Sequence, residues 1–223
     1  MKIEQIQKIG IIGAGQMGNG IAQVCATQKL QVLMFDISQT ALDKGLATIS
    51  NSLDRLIKKT LITEDDKKNI LSNIKTTIQM ADLKDSDFVI EAATENIDFK
   101  LKIFKELDLI VKPESILATN TSSISITKIA AVTSRPTQIV GMHFMNPVPL
   151  MKLVEGIKGL QTSAETFNLT QQLSEKLGKV FVQSIKDMPG FINKCRLPRS
   201  WSISDIEGII SKNLFTIKFT IYC

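Results

Sequence analysis

A chain of 223 residues with 43% hydrophobic side chains is long enough for one large domain with a sizeable core, or for one domain plus a fragment. The formal charge of +5 is uneven: residues 192–223 hold five Lys/Arg against two Asp/Glu, or +3, which leaves +2 for everything before them. With one Trp, one Tyr and no interleaving of basic with aromatic residues, nucleic-acid binding has little support.

The opening MKIEQIQK lacks the apolar core of a signal peptide, and no apolar run approaches the ~18 residues of a membrane span. The expectation is a cytoplasmic protein with no membrane partner. Cys25, Cys195 and Cys223 form no CxxC, so neither a disulfide framework nor a metal site is indicated.

Residues 8–36, KIGIIGAGQMGNGIAQVCATQKLQVLMFD, are the stretch around which the rest is organised. They read as a strand, a glycine turn, a helix and a second strand closed by Asp36. Gly13 permits the tight turn, Gly15 lets a pyrophosphate approach the backbone, and Gly18 lets the helix pack closely on the strand. The free N–H groups of the helix N-terminus then bind the phosphates without a basic side chain. Asp36 lies where a carboxylate accepts the ribose hydroxyls and repels a 2′-phosphate, which favours NAD over NADP. The glycines alone could mark only a turn and a close helix contact; the flanking strands and the acidic residue point to the dinucleotide.

Ser38 can cap a helix running to about Lys59, and Thr63 with Glu64, Asp65 and Asp66 opens a shorter one. This helical excursion exceeds what a plain nucleotide-binding crossover needs and suggests a task such as gripping a long substrate. Ser52 and Lys59, seven apart, share a helix face that serves equally as a solvated surface.

Strand-like stretches recur at 74–78, 88–92, 116–119 and 139–143, with a helical pattern at 97–111. The alternation indicates a doubly wound, mostly parallel α/β sheet, in which ligands bind beyond the carboxyl ends of the strands. Residues 91–95, residues 120–123 and His143 onward are therefore the ones to inspect. Asn120, Thr121, Ser122 and Ser123 either cap the next helix or offer a hydroxyl to a substrate oxygen beside the nicotinamide.

His143, the only histidine, ends a strand and precedes FMNPVPLMKLVEG. If the chain folds back around Pro149, Glu155 meets His143, fixes its tautomer and leaves the other ring nitrogen to act as base or acid. The alternative is a turn with an incidental ion pair. Thr162 and Glu165 then open a helix as a capping box, ahead of a strand at 180–183. Up to Phe191 every segment fits one domain, 1–191; residues 192–223 change composition, charge and hydrophobic period together.

IGIIGAGQMGNGIA, the acidic end of VLMFD, DFVIEAATEN, ATNTSSISI, GMHFMNPVPLMKLVE and DMPGFI together resemble the NAD-binding domain of the L-3-hydroxyacyl-CoA dehydrogenases, especially the bacterial 3-hydroxybutyryl-CoA dehydrogenases. The resemblance runs from about Lys8 to Ile192. It implies that Gly13, Gly15, Gly18 and Asp36 hold NAD, with Glu95, Lys100 and Ser122 beside its nicotinamide half. It implies His143 as catalytic base, Glu155 as its charge partner, and Ser122 in contact with substrate. Ser52, Lys59 and Asn146 fall on the acyl-CoA side. Asn193 stands for the family's catalytic asparagine, one residue early.

The reaction implied is hydride transfer from C3 of a 3-hydroxyacyl thioester to NAD, in fatty acid or butanoate metabolism. Family members continue into a helical domain that closes the cleft and forms a homodimer. The tail at 192–223 does not follow that pattern and reads as a frameshifted, truncated end, with impaired activity expected. A free-standing NAD-binding module without turnover, or a structural protein derived from the family, are the alternatives.

Overall fold

A computed structural model describes residues 1–184 and Asp187. The strands are β1 (Lys8–Ile12), β2 (Gln31–Phe35), β3 (Ile74–Thr77), β4 (Phe88–Glu91), β5 (Ile116–Thr119), β6 (Ile139–Phe144), β7 (Leu153–Ile157) and β8 (Val180–Ser184). The helices are α1 (Gln16–Thr27), α2 (Gln39–Lys58), α3 (Glu64–Ser72), α4 (Ile97–Ile110), α5 (Ile126–Ala130) and α6 (Ala164–Lys176). The strands form one sheet in the order β3-β2-β1-β4-β5-β6-β7-β8. Every neighbouring pair is parallel except β6 and β7.

Parallel strands need both faces covered, and the sequence supplies this by making both faces apolar. Ile9, Ile11, Phe88, Ile90, Val140 and Met142 pack with α1, α2, α3 and α6, through residues such as Ile21, Leu42, Ile70 and Leu173. Ile12, Val89, Leu117 and Ile139 face the other way, onto Phe104 and Leu107 of α4 and Ile126 and Ile129 of α5. Cys25 is fully buried in the first layer, and burial pushes its thiol up to about 12, so it behaves as a small apolar residue.

The chain leaves β1 toward β2 and β3, then returns to place β4 on the other side of β1. The crevice between the ends of β1 and β4 is the switch point where ligands of such sheets bind. Among the described residues, five of the six α-helices carry a side-chain cap, from Ser38, Thr63, Asn96, Ser125 and Ser163. The exception is α1, whose cap position is Gly15.

Three expectations change in detail. The helix α6 is capped by Ser163, whose Oγ accepts from the Thr166 N–H at 3.0 Å, and not by Thr162. Thr162 Oγ1 is otherwise engaged, donating to the Ile139 carbonyl at 2.6 Å and accepting from the Gly159 N–H at 2.9 Å. Glu165 instead holds the Met1 ammonium at 2.9 Å. The helix α5 takes its cap from Ser125, not from residues 120–123. The strand β6 extends one residue past His143, so the histidine sits within the ladder. The tail reading at 192–223, with Cys195 and Cys223, lies outside the described residues. Among the described residues no helix is long and apolar enough to cross a membrane.

Two carboxylates tie loops to the second face. Asp87 accepts from the N–H groups of Gln7 and Lys8 and pairs with Lys112. Asp108 accepts from Ser134 N and Arg135 Nε, both at 2.7 Å. Burial works against both charges, yet these hydrogen bonds and the adjacent cations outweigh it and hold both carboxyls below the usual 3.8. A group whose carboxyl is depressed on folding lends stability above its ordinary pKa and loses it as pH falls through the folded value. Thermal unfolding should therefore be insensitive to pH near neutrality and weaken below about pH 4. Asp108→Asn should cost about 1–3 kcal/mol at pH 7 and flatten that decline, as measured by melting curves from pH 7 to 3. An acid decline as steep as in the unmodified protein would remove Asp108 from the account.

Candidate active site

Gly13 has φ +97°, a left-handed conformation that glycine adopts without strain, and its N–H donates to the Phe35 carbonyl at 2.8 Å. A Cβ on Gly18 would lie 1.8 Å from the Gly13 carbonyl oxygen, so only glycine lets α1 start where it does. A Cβ on Gly15 would meet nothing within 4 Å. The turn thus leaves an open cradle at Gly15, below a helix N-terminus that no side chain caps. That combination suits a pyrophosphate, which supplies the acceptors that a capping residue otherwise would.

Asp36 follows β2 directly. Its Oδ2 accepts from the Ala14 N–H at 2.9 Å and its Oδ1 from the Ser38 N–H at 3.0 Å, which fixes the carboxylate beside the glycine turn. A carboxylate has about four acceptor positions, so two bonds leave capacity for ribose hydroxyls. The residues present therefore fit a dinucleotide.

Across the crevice, the ends of β4 and β5 carry a polar cluster. Glu95 Oε1 accepts from Thr121 Oγ1 at 2.5 Å, Ser122 N at 2.9 Å, Ser123 Oγ at 3.1 Å and Ser122 Oγ at 3.3 Å. Partial burial disfavours its charge, but these bonds and the Lys100 ammonium outweigh it and hold the carboxyl below the usual range. Glu95 and Ser122 are thus brought together at the surface. Lys100 is not at the surface: it is 1% exposed and pairs bidentately with Glu91 at 2.7 and 2.8 Å, with Glu95 Oε2 at 3.6 Å.

The antiparallel pairing of β6 with β7 sets His143 directly opposite Glu155. Nδ1 of His143 lies 2.7 Å from Glu155 Oε2, with the two side chains 14% and 0% exposed. The fold-back around Pro149 therefore builds the dyad that equal spacing from the bend implied. Glu155 Oε1 is buried and receives no hydrogen bond among the described residues. Asn120 Oδ1 accepts from the Phe144 N–H at 2.8 Å, tying the end of β5 to the strand that carries His143.

The loop between β6 and β7 is held from two sides. Lys179 Nζ donates to the carbonyls of Val148 at 2.6 Å and Met151 at 2.8 Å, and burial pushes its ammonium below the usual lysine range. On the other side, a Cβ on Gly20 of α1 would come within 2.9 Å of Val148. The histidine loop and the cofactor helix are thus in direct contact.

Of the residues expected on the substrate side, Asn146 is exposed in this loop. Ser52 is half-buried on α2, and Lys59 is exposed at its C-cap. Asn193 lies outside the described residues. Sequence reading placed Glu91 within the stretch 91–95 without a role, and missed Thr119, Lys179 and Asp187. Asp187 accepts from Ser125 Oγ and from the N–H groups of Ile126 and Thr127, each at 2.7 Å. Glu91 carried a signal in an otherwise apolar strand, FVIE, because a charge there needs a buried partner.

A family model described as the NAD binding domain of 3-hydroxyacyl-CoA dehydrogenase matches residues 8–188. A 3-hydroxybutyryl-CoA dehydrogenase of Bradyrhizobium diazoefficiens is 49% identical over 194 residues, covering 86% of this chain and 66% of the relative. One from Clostridioides difficile is 44% identical over 203 residues, covering 91% and 71%. The crystal structure of (S)-3-hydroxybutyryl-CoA dehydrogenase from Ralstonia eutropha superposes with a TM-score of 0.82 at 56% identity, over 84% of this chain and 66% of that one. The chain spans about two thirds of the length of the relatives it matches. With its glycine turn, its Asp36 and its eight-stranded sheet in place, the chain belongs to the 3-hydroxyacyl-CoA dehydrogenase family, through that family's NAD binding domain.

Proposed function

We propose that this chain carries the catalytic half of an NAD-dependent 3-hydroxyacyl-CoA dehydrogenase, acting on the C3 hydroxyl of a short acyl-CoA such as 3-hydroxybutyryl-CoA, and in reverse on the 3-keto thioester. The observation that carries the reading is the His143–Glu155 dyad, 2.7 Å apart, at the same sheet end as the open Gly15 cradle. The names of the relatives support the substrate class.

In this reading the uncapped start of α1 binds the pyrophosphate, and Asp36 takes the adenosine ribose. When bound, NAD supplies the acceptor for the hydride leaving C3. His143 takes the hydroxyl proton on Nε2, while Glu155, bonded to Nδ1, keeps the ring in one tautomer and offsets the imidazolium charge. Ser122, on the turn held by Glu95, orients the reacting oxygen. Asn146 lines the substrate side, and Ser52 and Lys59 of the helical excursion meet the coenzyme A portion. Holding both reactants in one cleft supplies orientation, a large part of the rate. A cytoplasmic location, a role in fatty acid or butanoate metabolism and a homodimer belong to the same proposal. So do Asn193 as a catalytic residue and impaired turnover linked to the sequence at 192–223. Assay with acetoacetyl-CoA and NADH tests the activity; NADH binding without turnover would leave an NAD-binding module.

Binding itself should be selective. Calorimetric titration should show NADH preferred over NADPH by at least about tenfold, since Asp36 opposes a 2′-phosphate. Gly15→Ala should leave the melting temperature nearly unchanged and weaken NADH by about tenfold or more, because the methyl fills the cradle but meets no protein atom. Gly18→Ala should instead destabilise the fold by about 3 kcal/mol or more. Equal NADPH affinity, or unchanged NADH affinity in Gly15→Ala, would refute the placement.

His143→Gln should lower kcat by about 100-fold or more while NADH affinity stays within about twofold, since the imidazole moves a proton and holds no part of the nucleotide. Stopped-flow reduction of acetoacetyl-CoA with a parallel NADH titration measures both. Near-normal kcat in this variant would dismiss His143 as the base.

A further inference from the structure

Behind the exposed Glu95 and Ser122 lies a closed ring of hydrogen bonds and one ion pair. Glu91, 0% exposed at the end of β4, accepts from Ala93 N at 2.8 Å, Lys100 Nζ at 2.7 and 2.8 Å, and Thr119 Oγ1 at 2.7 Å. Both carboxylate oxygens are therefore satisfied. From Glu91 two routes lead to the same turn. One runs through Lys100, which lies 3.6 Å from Glu95 Oε2, and Glu95 in turn gathers Thr121, Ser122 and Ser123. The other runs through Thr119, whose Oγ1 accepts from the Thr121 N–H at 3.3 Å. Glu91, Lys100, Glu95, Thr121 and Thr119 thus close on themselves, and residues 92–96, which have no regular structure, hang between α4 and the turn.

We propose that Glu91 is a positioning residue for the cofactor's nicotinamide half: it fixes Lys100 and Thr119, and through them the placement of Glu95 and Ser122 at the mouth of the crevice. The inference rests on the NAD site proposed above. Lys100, 1% exposed, stands behind Glu95 and bears on the nicotinamide side of the crevice through it. The ring holds two carboxylates around one ammonium. Removing the Glu91 charge leaves Glu95 as the only counter-charge, so the ammonium draws Glu95 inward and off the hydroxyls of the turn. Asp36, at the end of β2 on the other side of β1, and the uncapped start of α1 are not part of the ring, which reaches the glycine turn only through the packing of Ala92 and Ala93 on Gly13. Loss of Glu91 should therefore be felt by one half of the dinucleotide only.

NADH and ADP-ribose, which lacks the nicotinamide, are the two probes, titrated calorimetrically into the full chain. Glu91→Gln should weaken NADH by about tenfold, the scale of one or two lost hydrogen bonds, and leave ADP-ribose within about twofold. Thr119→Ser should behave as the unmodified protein, and Thr119→Val should shift NADH in the same direction as Glu91→Gln. Should Glu91→Gln fold poorly, the apolar pair Glu91→Leu/Lys100→Met should recover the melting temperature without recovering NADH affinity. Unchanged NADH binding in Glu91→Gln, equal weakening of both probes, or full NADH affinity in the apolar pair would each overturn the positioning role. Failure of the unmodified protein to bind either probe would overturn the proposed function and this inference with it.

Discussion

The contact between Gly18 and the Gly13 carbonyl is the constraint on which the rest of this molecule depends. No side chain can stand there, since a Cβ would sit 1.8 Å from that oxygen. Because α1 begins so close to the end of β1, its axis points its free N–H groups into the crevice between β1 and β4. The same tight turn brings Ala14 N onto Asp36 at 2.9 Å and Gly13 N onto the Phe35 carbonyl at 2.8 Å, so two hydrogen bonds fix the end of β2 relative to the phosphate cradle. Further along α1, Gly20 admits Val148 of the histidine loop, which a Cβ there would approach to 2.9 Å. One helix thus carries the proposed phosphate site at its start and braces the histidine loop two residues after the motif ends.

The sheet makes this arrangement rigid. Its strands are buried on both faces, so a register slip of one residue would exchange two packed layers and expose neither, yet would misplace every residue at the strand ends. Those ends are where polarity is concentrated. Glu91 and Thr119 continue the faces of Val89 and Leu117, and His143 continues that of Ile139, so three side chains of one layer become the polar lining of the crevice. The reversal at β7 then adds Glu155 from the opposite direction, which a purely parallel continuation could not place beside His143.

Much of this was legible because local chemistry and global fold agree. The GAGQMG turn with its flanking strands and Asp36, the caps Ser38 and Thr63, and the alternation of strands and helices all point to one fold, and the spacing of 143 and 155 about Pro149 anticipated their contact. What was not legible depends on contacts between distant segments. Ser163 rather than Thr162 caps α6 because Thr162 is drawn to the Ile139 carbonyl, 23 residues away. The resemblance set Lys100 beside the nicotinamide half, and only the fold shows its ammonium buried against Glu91. Lys179 likewise reads as an ordinary helix-to-strand lysine until two loop carbonyls, 31 and 28 residues back, are seen to capture it.

The two buried carboxylates of the crevice differ in a way that separates support from chemistry. Glu91 has every acceptor position it needs filled by the protein, and a fully satisfied buried network rigidifies what it touches. Glu155 is equally buried, but among the described residues one of its oxygens binds His143 and the other receives nothing. Leaving a buried charged acceptor unpaired costs on the order of 1–3 kcal/mol, which a structural residue would have no reason to retain. That cost is consistent with a group held to balance charge that develops on the imidazole, since a carboxylate already saturated by fixed donors would respond less to it. Local polar satisfaction thus holds where the crevice is being built and lapses at the dyad proposed to transfer the proton.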